Sequence, residues 1–158
     1  MRLGLIADTH GKVRAQVHEV FRKVDLILHA GDLGGADVLE ELELLAKVVA
    51  VYGNVDSAIM KRRLPQVARL DVDDLRFVLT HGDQLNTREP EVLKEGFPDA
   101  DVIVFGHTHR PLIQNFPDFS VVINPGAAGP VRIDCKPSVA ILETEPGLPP
   151  RARIVELT

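Results

Sequence analysis

Tryptophan is absent, tyrosine occurs once, and aromatic residues make up 4% of the 158-residue chain. Stacking platforms for bases or sugar rings are therefore not expected. The single cysteine, Cys135, excludes a disulfide framework within the chain and any cysteine-rich zinc site, and it suits a reducing compartment. No apolar run approaches the ~20 residues that a membrane-spanning helix needs, so no membrane association is expected. Met1-Arg2-Leu3-Gly4-Leu5 runs straight into Asp8, so no signal peptide is expected and the cytoplasm is the expected location. Positive charge is also short: 18 Lys and Arg against 23 Asp and Glu leave a formal charge of -5. That balance argues against nucleic acid as a partner, since general nucleic-acid binding needs a basic face. At first sight it also disfavours any phosphate ligand. What remains is an ordinary globular composition, 45% hydrophobic and 26% charged, at a length that buries a real core. Six histidines stand out, and their positions carry the functional argument.

No repeat, low-complexity block or interior linker appears, so residues 1–158 read as one domain. Leu3 to Ala7 reads as a buried strand, and Val13, Val17, Val20, Phe21 and Val24 then recur at helical spacing. Leu26 to Leu28 is a second strand, Leu39, Leu42, Leu45 and Ala46 mark a second helix, and Val48 to Tyr52 a third strand. This alternation predicts a parallel sheet covered by helices. Ala68, Leu70 and Val72 alternate with polar residues as in a half-exposed strand, Asp73-Asp74 reads as a turn, and Leu75 to Thr80 returns as a strand. Glu89-Pro90-Glu91 is a helix start, with proline in the first turn and acids near the positive end of the dipole. Val102 to Phe105 is a further buried strand, and after Pro111 the chain is strand-rich: Leu112-Ile113, Phe119 to Ile123, Ser138 to Leu142 and Ala152 to Leu157. The expected class is α/β, with two packed sheets and helices outside.

Each buried strand of the first two-thirds is followed by polar residues with metal-binding atoms. Asp8-Thr9-His10 follows the first, Gly31-Asp32 the second, Gly53-Asn54 the third, His81-Gly82 the Leu75–Thr80 strand, and Gly106-His107-Thr108-His109 the Val102–Phe105 strand. Ligands of open α/β sheets bind at the carboxyl ends of the strands. Asp8, His10, Asp32, Asn54, His81, His107 and His109 are therefore expected to line one site. Four imidazoles, two carboxylates and one amide oxygen suit Mn²⁺, Fe²⁺, Zn²⁺, Co²⁺ or Ni²⁺, and are too rich in histidine for Ca²⁺ or a Mg²⁺ cage. Seven ligands are too many for one catalytic ion that keeps an open position, so two ions sharing a carboxylate account for them better. The pairs Asp8/His10 and His107/His109 fit if their segments are extended, because alternate residues then point the same way. Each motif alone is weak, but five in this order, each after an apolar run, form a specific signal.

That order resembles the calcineurin-like metallophosphoesterase superfamily, whose pattern is D-x-H, G-D, G-N-H-[DE], a later H, and G-H-x-H. The match spans residues 8 to 109, with Asn124-Pro125-Gly126 as a further family-like turn. The short chain looks most like the small single-domain prokaryotic phosphodiesterase branch. The resemblance implies a four-layer α/β-β/α sandwich, two packed mixed β-sheets flanked by helices. It implies one metal on Asp8, His10, Asp32 and His109, a second on Asp32, Asn54, His81 and His107, and Asp32 as the bridge, with Mn²⁺ foremost among the candidate ions. It also implies a homo-oligomer, a dimer or tetramer. One position departs from the pattern: Gly53-Asn54-Val55-Asp56 has valine where the family's histidine assists the leaving group. The small branch commonly departs from histidine here too. The change need not abolish activity, and it favours substrates with good leaving groups, or another acid in the histidine's place. Asp56 keeps the acidic position and is expected to orient a histidine from behind the ligands.

The resemblance implies hydrolysis of a small phosphoester, most simply a phosphodiester, by a hydroxide bridging two divalent ions ~3.5–4 Å apart. Asp32, Asn54 and Asp56 are the expected catalytic residues. Two carboxylates at −2, two ions at +4 and one hydroxide at −1 sum to +1, so the crevice attracts anions although the chain is acidic. The alternatives are a phosphomonoesterase acting on a nucleotide or phosphoprotein, and a non-catalytic binding scaffold like a retromer subunit that shares the fold. A nuclease is disfavoured by the charge. His29 is expected to pack in the core, and His18, Lys12, Arg14 and Arg110 to be solvated. Cys135 reads as a small filler, Asp37, Glu40, Glu41 and Glu43 as the wet face of the second helix, and Asn124 as a turn residue or as one that orders the site.

Overall fold

The structure is a computed structural model that describes residues 1–85, 89–131 and 133–158. Its strands are β1 (Arg2–Ile6), β2 (Leu26–His29), β3 (Lys47–Ala50), β4 (Val67–Val72), β5 (Leu75–Thr80), β6 (Val102–Val104), β7 (Leu112–Asn115), β8 (Val121–Asn124), β9 (Ser138–Glu143) and β10 (Arg151–Glu156). Its helices are α1 (Ala15–Val20), α2 (Ala36–Glu43), α3 (Ala58–Arg63) and α4 (Pro90–Gly96). The strands form two five-stranded sheets, ordered β10-β9-β1-β2-β3 and β4-β5-β6-β8-β7. In the first, β1, β2 and β3 run parallel, while β9 pairs antiparallel with β1 and β10 with β9. In the second, β5, β6 and β8 run parallel, with antiparallel β4 and β7 at the edges.

Strand alternation divides the core into three layers of contact. Leu3, Leu5, Leu26, Leu28 and Leu142 of the first sheet meet Phe77, Leu79, Val102, Val104 and Ile123 of the second. The opposite face of the first sheet, Ile6, Ile27 and Ile141, packs on Val17 and Phe21 near α1, Leu39 and Leu42 of α2, and Met60 of α3. The opposite face of the second sheet, Val78, Ile103 and Val122, packs on Leu93 of α4. The result is an α/β sandwich of two mixed sheets with helices outside. Each large apolar side chain buried this way contributes roughly 1.5–3 kcal/mol.

The helices are shorter than their apolar periodicity predicts. Val13 precedes α1, and Phe21 and Val24 follow it, though both of these are still buried. Three valines in the Val13–Val20 stretch weaken helix propensity, and a short turn delivers the same apolar face. Leu45 and Ala46 lie beyond α2, in the turn that leads into β3. The third helix, α3, is an addition to the sequence reading. Asp73 and Asp74 both adopt positive φ, 48° and 66°, at the tight turn joining β4 to β5. Among the described residues no helix is long and apolar enough to cross a membrane.

Candidate metal centre

The loops that leave β1, β2, β3, β5 and β6 converge, and they bring the seven anticipated ligands together. His10, Asp32, Asn54, His107 and His109 line an open cleft of ≈ 320 Å³ with Val55 and Thr108. Asp8 and His81 are buried against them. Asp8 Oδ1 lies 3.4 Å from His109 Nε2 and 4.0 Å from His81 Nε2. His81 Nε2 also lies 3.2 Å from Asp32 Oδ2 and 3.0 Å from Asn54 Oδ1. The His10 ring sits 5.4 Å from that of His109, and the His107 ring 5.1 Å from that of His81. Two trios have donor atoms within 4.8 Å of one another, Asp8/His10/His109 and Asp8/Asp32/His81. Asp8 is thus the carboxylate common to both trios, while Asp32 belongs to one of them.

The loop conformation differs from the extended one expected for alternate ligands. Asp8, His10, Asp32, His107 and His109 all have positive φ, between 48° and 70°. Left-handed backbone is costly for residues with a Cβ and persists where surroundings fix it. Here the Asp8, His10 and Gly11 amides bond to Gly31, Asp32 and Leu33 carbonyls at 3.0, 3.1 and 2.7 Å, so the parallel pairing of β1 and β2 continues through the ligand loops. Glycine is required where loops touch: a Cβ on Gly106 would lie 2.9 Å from the Ala7 Cβ and 3.1 Å from Asp8 Oδ2, and one on Gly53 would strike the Asp32 carboxylate.

Electrostatics favour a cation at this place. His81 Nδ1 donates to the Ala30 carbonyl at 2.8 Å, which turns Nε2 toward the carboxylates. Burial opposes a charged ring, but Asp32, Asp8 and the Ala30 carbonyl outweigh it and push His81 up to about 8. Burial also opposes charge on Asp32, yet His81 and the Val55 N–H hold that carboxyl below its ordinary range. Among the described residues, the buried side-chain atoms without a hydrogen-bond partner are both oxygens of Asp8, His10 Nε2, His109 Nδ1 and Arg2 Nε. Four of these five belong to the cluster. Buried polar atoms are normally satisfied, so a cation-binding donor set is the economical reason for this concentration.

The surrounding residues correct several expectations. Asp56 orients no histidine: Oδ2 accepts the backbone N–H of Asp32 and Gly53 at 3.0 and 2.8 Å, and Oδ1 that of Gly34 at 3.1 Å. It fixes the turn that carries Asp32. Arg14 is not a free surface cation, because Nε and Nη2 both donate to the Gly129 carbonyl at 3.0 and 2.8 Å. His18 is not simply solvated but meets Glu41 Oε1 at 2.7 Å, tying α1 to α2. Lys12 is exposed, and Arg110 pairs with Asp134 at 3.1 Å on the surface. Asn124 does order the site: its Nδ2 donates to the Gly106 carbonyl and Thr108 Oγ1, both at 3.0 Å. Cys135 is half-buried, with Sγ 3.2 Å from the His109 carbonyl. His29 is buried as expected, but it also bonds Thr9 and the Gly31 N–H. The signal for that role is the sequence His29-Ala30-Gly31-Asp32 itself, which puts an imidazole just before a ligand turn.

The family model for the calcineurin-like phosphoesterase superfamily domain matches residues 1–147. The chain belongs to that superfamily. A probable metallophosphoesterase of Methanothermobacter thermautotrophicus is 38% identical over 152 residues, which cover 92% of this chain and 87% of that protein. A phosphodiesterase of Methanocaldococcus jannaschii is 31% identical over 162 residues, with 92% and 94% coverage. Among solved structures, Zn²⁺-complexed Vps29 of Entamoeba histolytica superposes with a TM-score of 0.78 at 21% identity, covering 99% of each chain. That likeness shows the fold alone. As a calcineurin-like phosphoesterase, this chain carries its candidate metal-binding residues where the strands of both sheets end.

Proposed function

We propose that residues 1–158 act as one domain that hydrolyses a small phosphodiester at a pair of divalent ions held by Asp8, His10, Asp32, Asn54, His81, His107 and His109. The family and its phosphodiesterase-named relatives support a phosphoesterase. The observation that carries the finer reading is Asp8: a buried carboxylate with neither oxygen hydrogen-bonded among the described residues, common to two trios of donor atoms. An ion on each trio would satisfy it.

Bound ions, Mn²⁺ foremost and Ni²⁺, Fe²⁺, Zn²⁺ or Co²⁺ as alternatives, supply Lewis acidity and a water acidic enough to ionise near neutral pH. The protein's part is positioning. The Ala30 carbonyl fixes the His81 tautomer, so that Nε2 faces Asp32 and Asn54. The Val55 N–H holds Asp32 Oδ1 at 3.0 Å, leaving Oδ2 toward His81. Asp56 acts through the backbone of Asp32 and Gly53 and is a positioning residue, whereas Asp32 and Asn54 line the cleft where substrate enters. Val55 cannot protonate a leaving group. A diester whose leaving alcohol is acidic needs no such proton, which favours activated diesters over unactivated monoesters.

The test is a panel of aryl monoesters and diesters, run across Mn²⁺, Ni²⁺, Zn²⁺, Fe²⁺ and Co²⁺ on one metal-stripped preparation. Diester hydrolysis restored by an added ion, and reduced to near background in Asp32→Asn with the far-ultraviolet circular dichroism unchanged, is the expected result. Wild-type turnover by Asp32→Asn in Mn²⁺ would refute the ligand assignment. Stoichiometric metal uptake with no turnover on any ester would favour the scaffold alternative.

A further inference from the structure

Thr9 and His29 are both fully buried, and neither lines the cleft. Their protons can be followed one by one. The Gly31 backbone nitrogen can only donate, so His29 Nδ1, 3.1 Å away, accepts. Burial holds this ring down to about 3, so it is neutral and its one proton sits on Nε2. Nε2–H then donates to Thr9 Oγ1 at 2.9 Å, and the Thr9 hydroxyl donates in turn to the Leu33 carbonyl at 2.9 Å. Each donor in the thread has one acceptor: a proton on Nδ1 would face the Gly31 N–H, donor to donor, and a Thr9 hydroxyl turned to Nε2 would leave its oxygen facing the Leu33 carbonyl, acceptor to acceptor.

The thread runs between two ligand loops. Thr9 stands between Asp8 and His10, and Gly31 and Leu33 flank Asp32. Asp8, His10 and Asp32 have φ of 52°, 48° and 57°, a conformation that unsupported loops abandon. The backbone bonds between the loops tie residues 8, 10 and 11 to residues 31, 32 and 33 and, among the described residues, leave the Gly31 N–H to the imidazole. We propose that His29 and Thr9 are positioning residues that clasp the Asp8–His10 loop to the Gly31–Leu33 loop and so set the affinity of the metal centre. The inference rests on the reading of Asp8, His10 and Asp32 as ligands.

Two measurements test it. The first uses the wild-type, metal-free protein and the ¹⁵N shifts of its imidazoles. His29 is expected as the neutral Nε2–H tautomer; an Nδ1–H tautomer or an imidazolium at neutral pH would overturn the clasp. The second compares Mn²⁺ dissociation constants by titration calorimetry in Thr9→Val, which removes the hydroxyl at nearly constant volume, and Thr9→Ser, which keeps it. Groups that hold metal ligands in place typically contribute about 10–100-fold in affinity, so Thr9→Val is expected to bind Mn²⁺ that much more weakly and Thr9→Ser to match wild type. Equal affinity in Thr9→Val and wild type would overturn the proposal, as would equal losses in both variants. Should Thr9→Val not fold, the tautomer measurement and Thr9→Ser still decide. Wild-type protein that takes up no Mn²⁺ would refute the metal-centre reading instead, and would leave the tautomer result standing.

Discussion

Val55 stands 61% exposed in the cleft, immediately after Asn54, at the position where the family pattern has histidine. Its backbone still serves the site through the bond to Asp32, so the substitution removes an acid without disturbing the loop. Introducing histidine there is therefore a test of chemistry rather than of folding. Val55→His is expected to raise turnover of diesters with poor leaving groups by ~10-fold or more, a share of the ~10²–10⁴ that general acid catalysis provides. Turnover of activated aryl diesters should change little. Steady-state kinetics on a leaving-group series reads this directly, and equal effects at both ends of the series would refute the leaving-group argument. Asp56 teaches the complementary lesson. Its acidic character was legible, but its partners are three backbone amides that only the folded turn brings together.

The loops that carry the candidate ligands were legible at the element scale because each follows an apolar run, and an apolar run bounded by glycine reads as a buried strand whatever its neighbours. The order β10-β9-β1 was not, since the register Arg2↔Glu143 joins residues from opposite ends of the chain. Nor were the left-handed conformations of Asp8 and His10, which depend on contacts with Gly31 and Asp32 rather than on local propensity. The helix α3 is hard to read from the sequence because its six residues carry little apolar periodicity, but its ends are signposted. Ser57 Oγ accepts the Met60 N–H at 3.2 Å, and Lys61, Arg62 and Arg63 occupy the last turn, at the dipole's negative end. Ser57→Ala is expected to destabilise the protein by ~1 kcal/mol in urea denaturation. Because α3 follows directly from Asn54–Asp56, the same variant is expected to weaken Mn²⁺ binding modestly. Unchanged stability would mean the cap contributes nothing in this context.

At the scale of the whole molecule, two sheets aim their strand ends at one place and collect there, among the described residues, a buried carboxylate, Asp8, and two imidazole nitrogens, His10 Nε2 and His109 Nδ1, without hydrogen-bond partners. The formal charge of -5 is therefore no guide to the cleft, where candidate cation-binding residues gather. The pH dependence of stability follows from His81. In the metal-free protein its pKa rises from 6.5 to about 8, so protonated His81 stabilises the fold fully below pH ~6.5, and that contribution fades as pH climbs through about 8. The difference corresponds to about 2 kcal/mol. Asp32 is shifted the other way, below its ordinary range, so its contribution is present above pH ~4 and is lost only in acid, outside this window. A cation at the Asp8/Asp32/His81 trio needs the His81 lone pair and must displace the proton. Metal-free protein is therefore expected to lose stability between pH 6.5 and 8, while the rise in Tm produced by a fixed excess of Mn²⁺ grows over the same interval. Thermal melts of metal-stripped and Mn²⁺-loaded protein at four or five pH values check both trends. A Mn²⁺-induced shift in Tm that stays constant from pH 6.5 to 8 would show that His81 is not a ligand, and that the trio around Asp8 and Asp32 is held together as an ion pair instead.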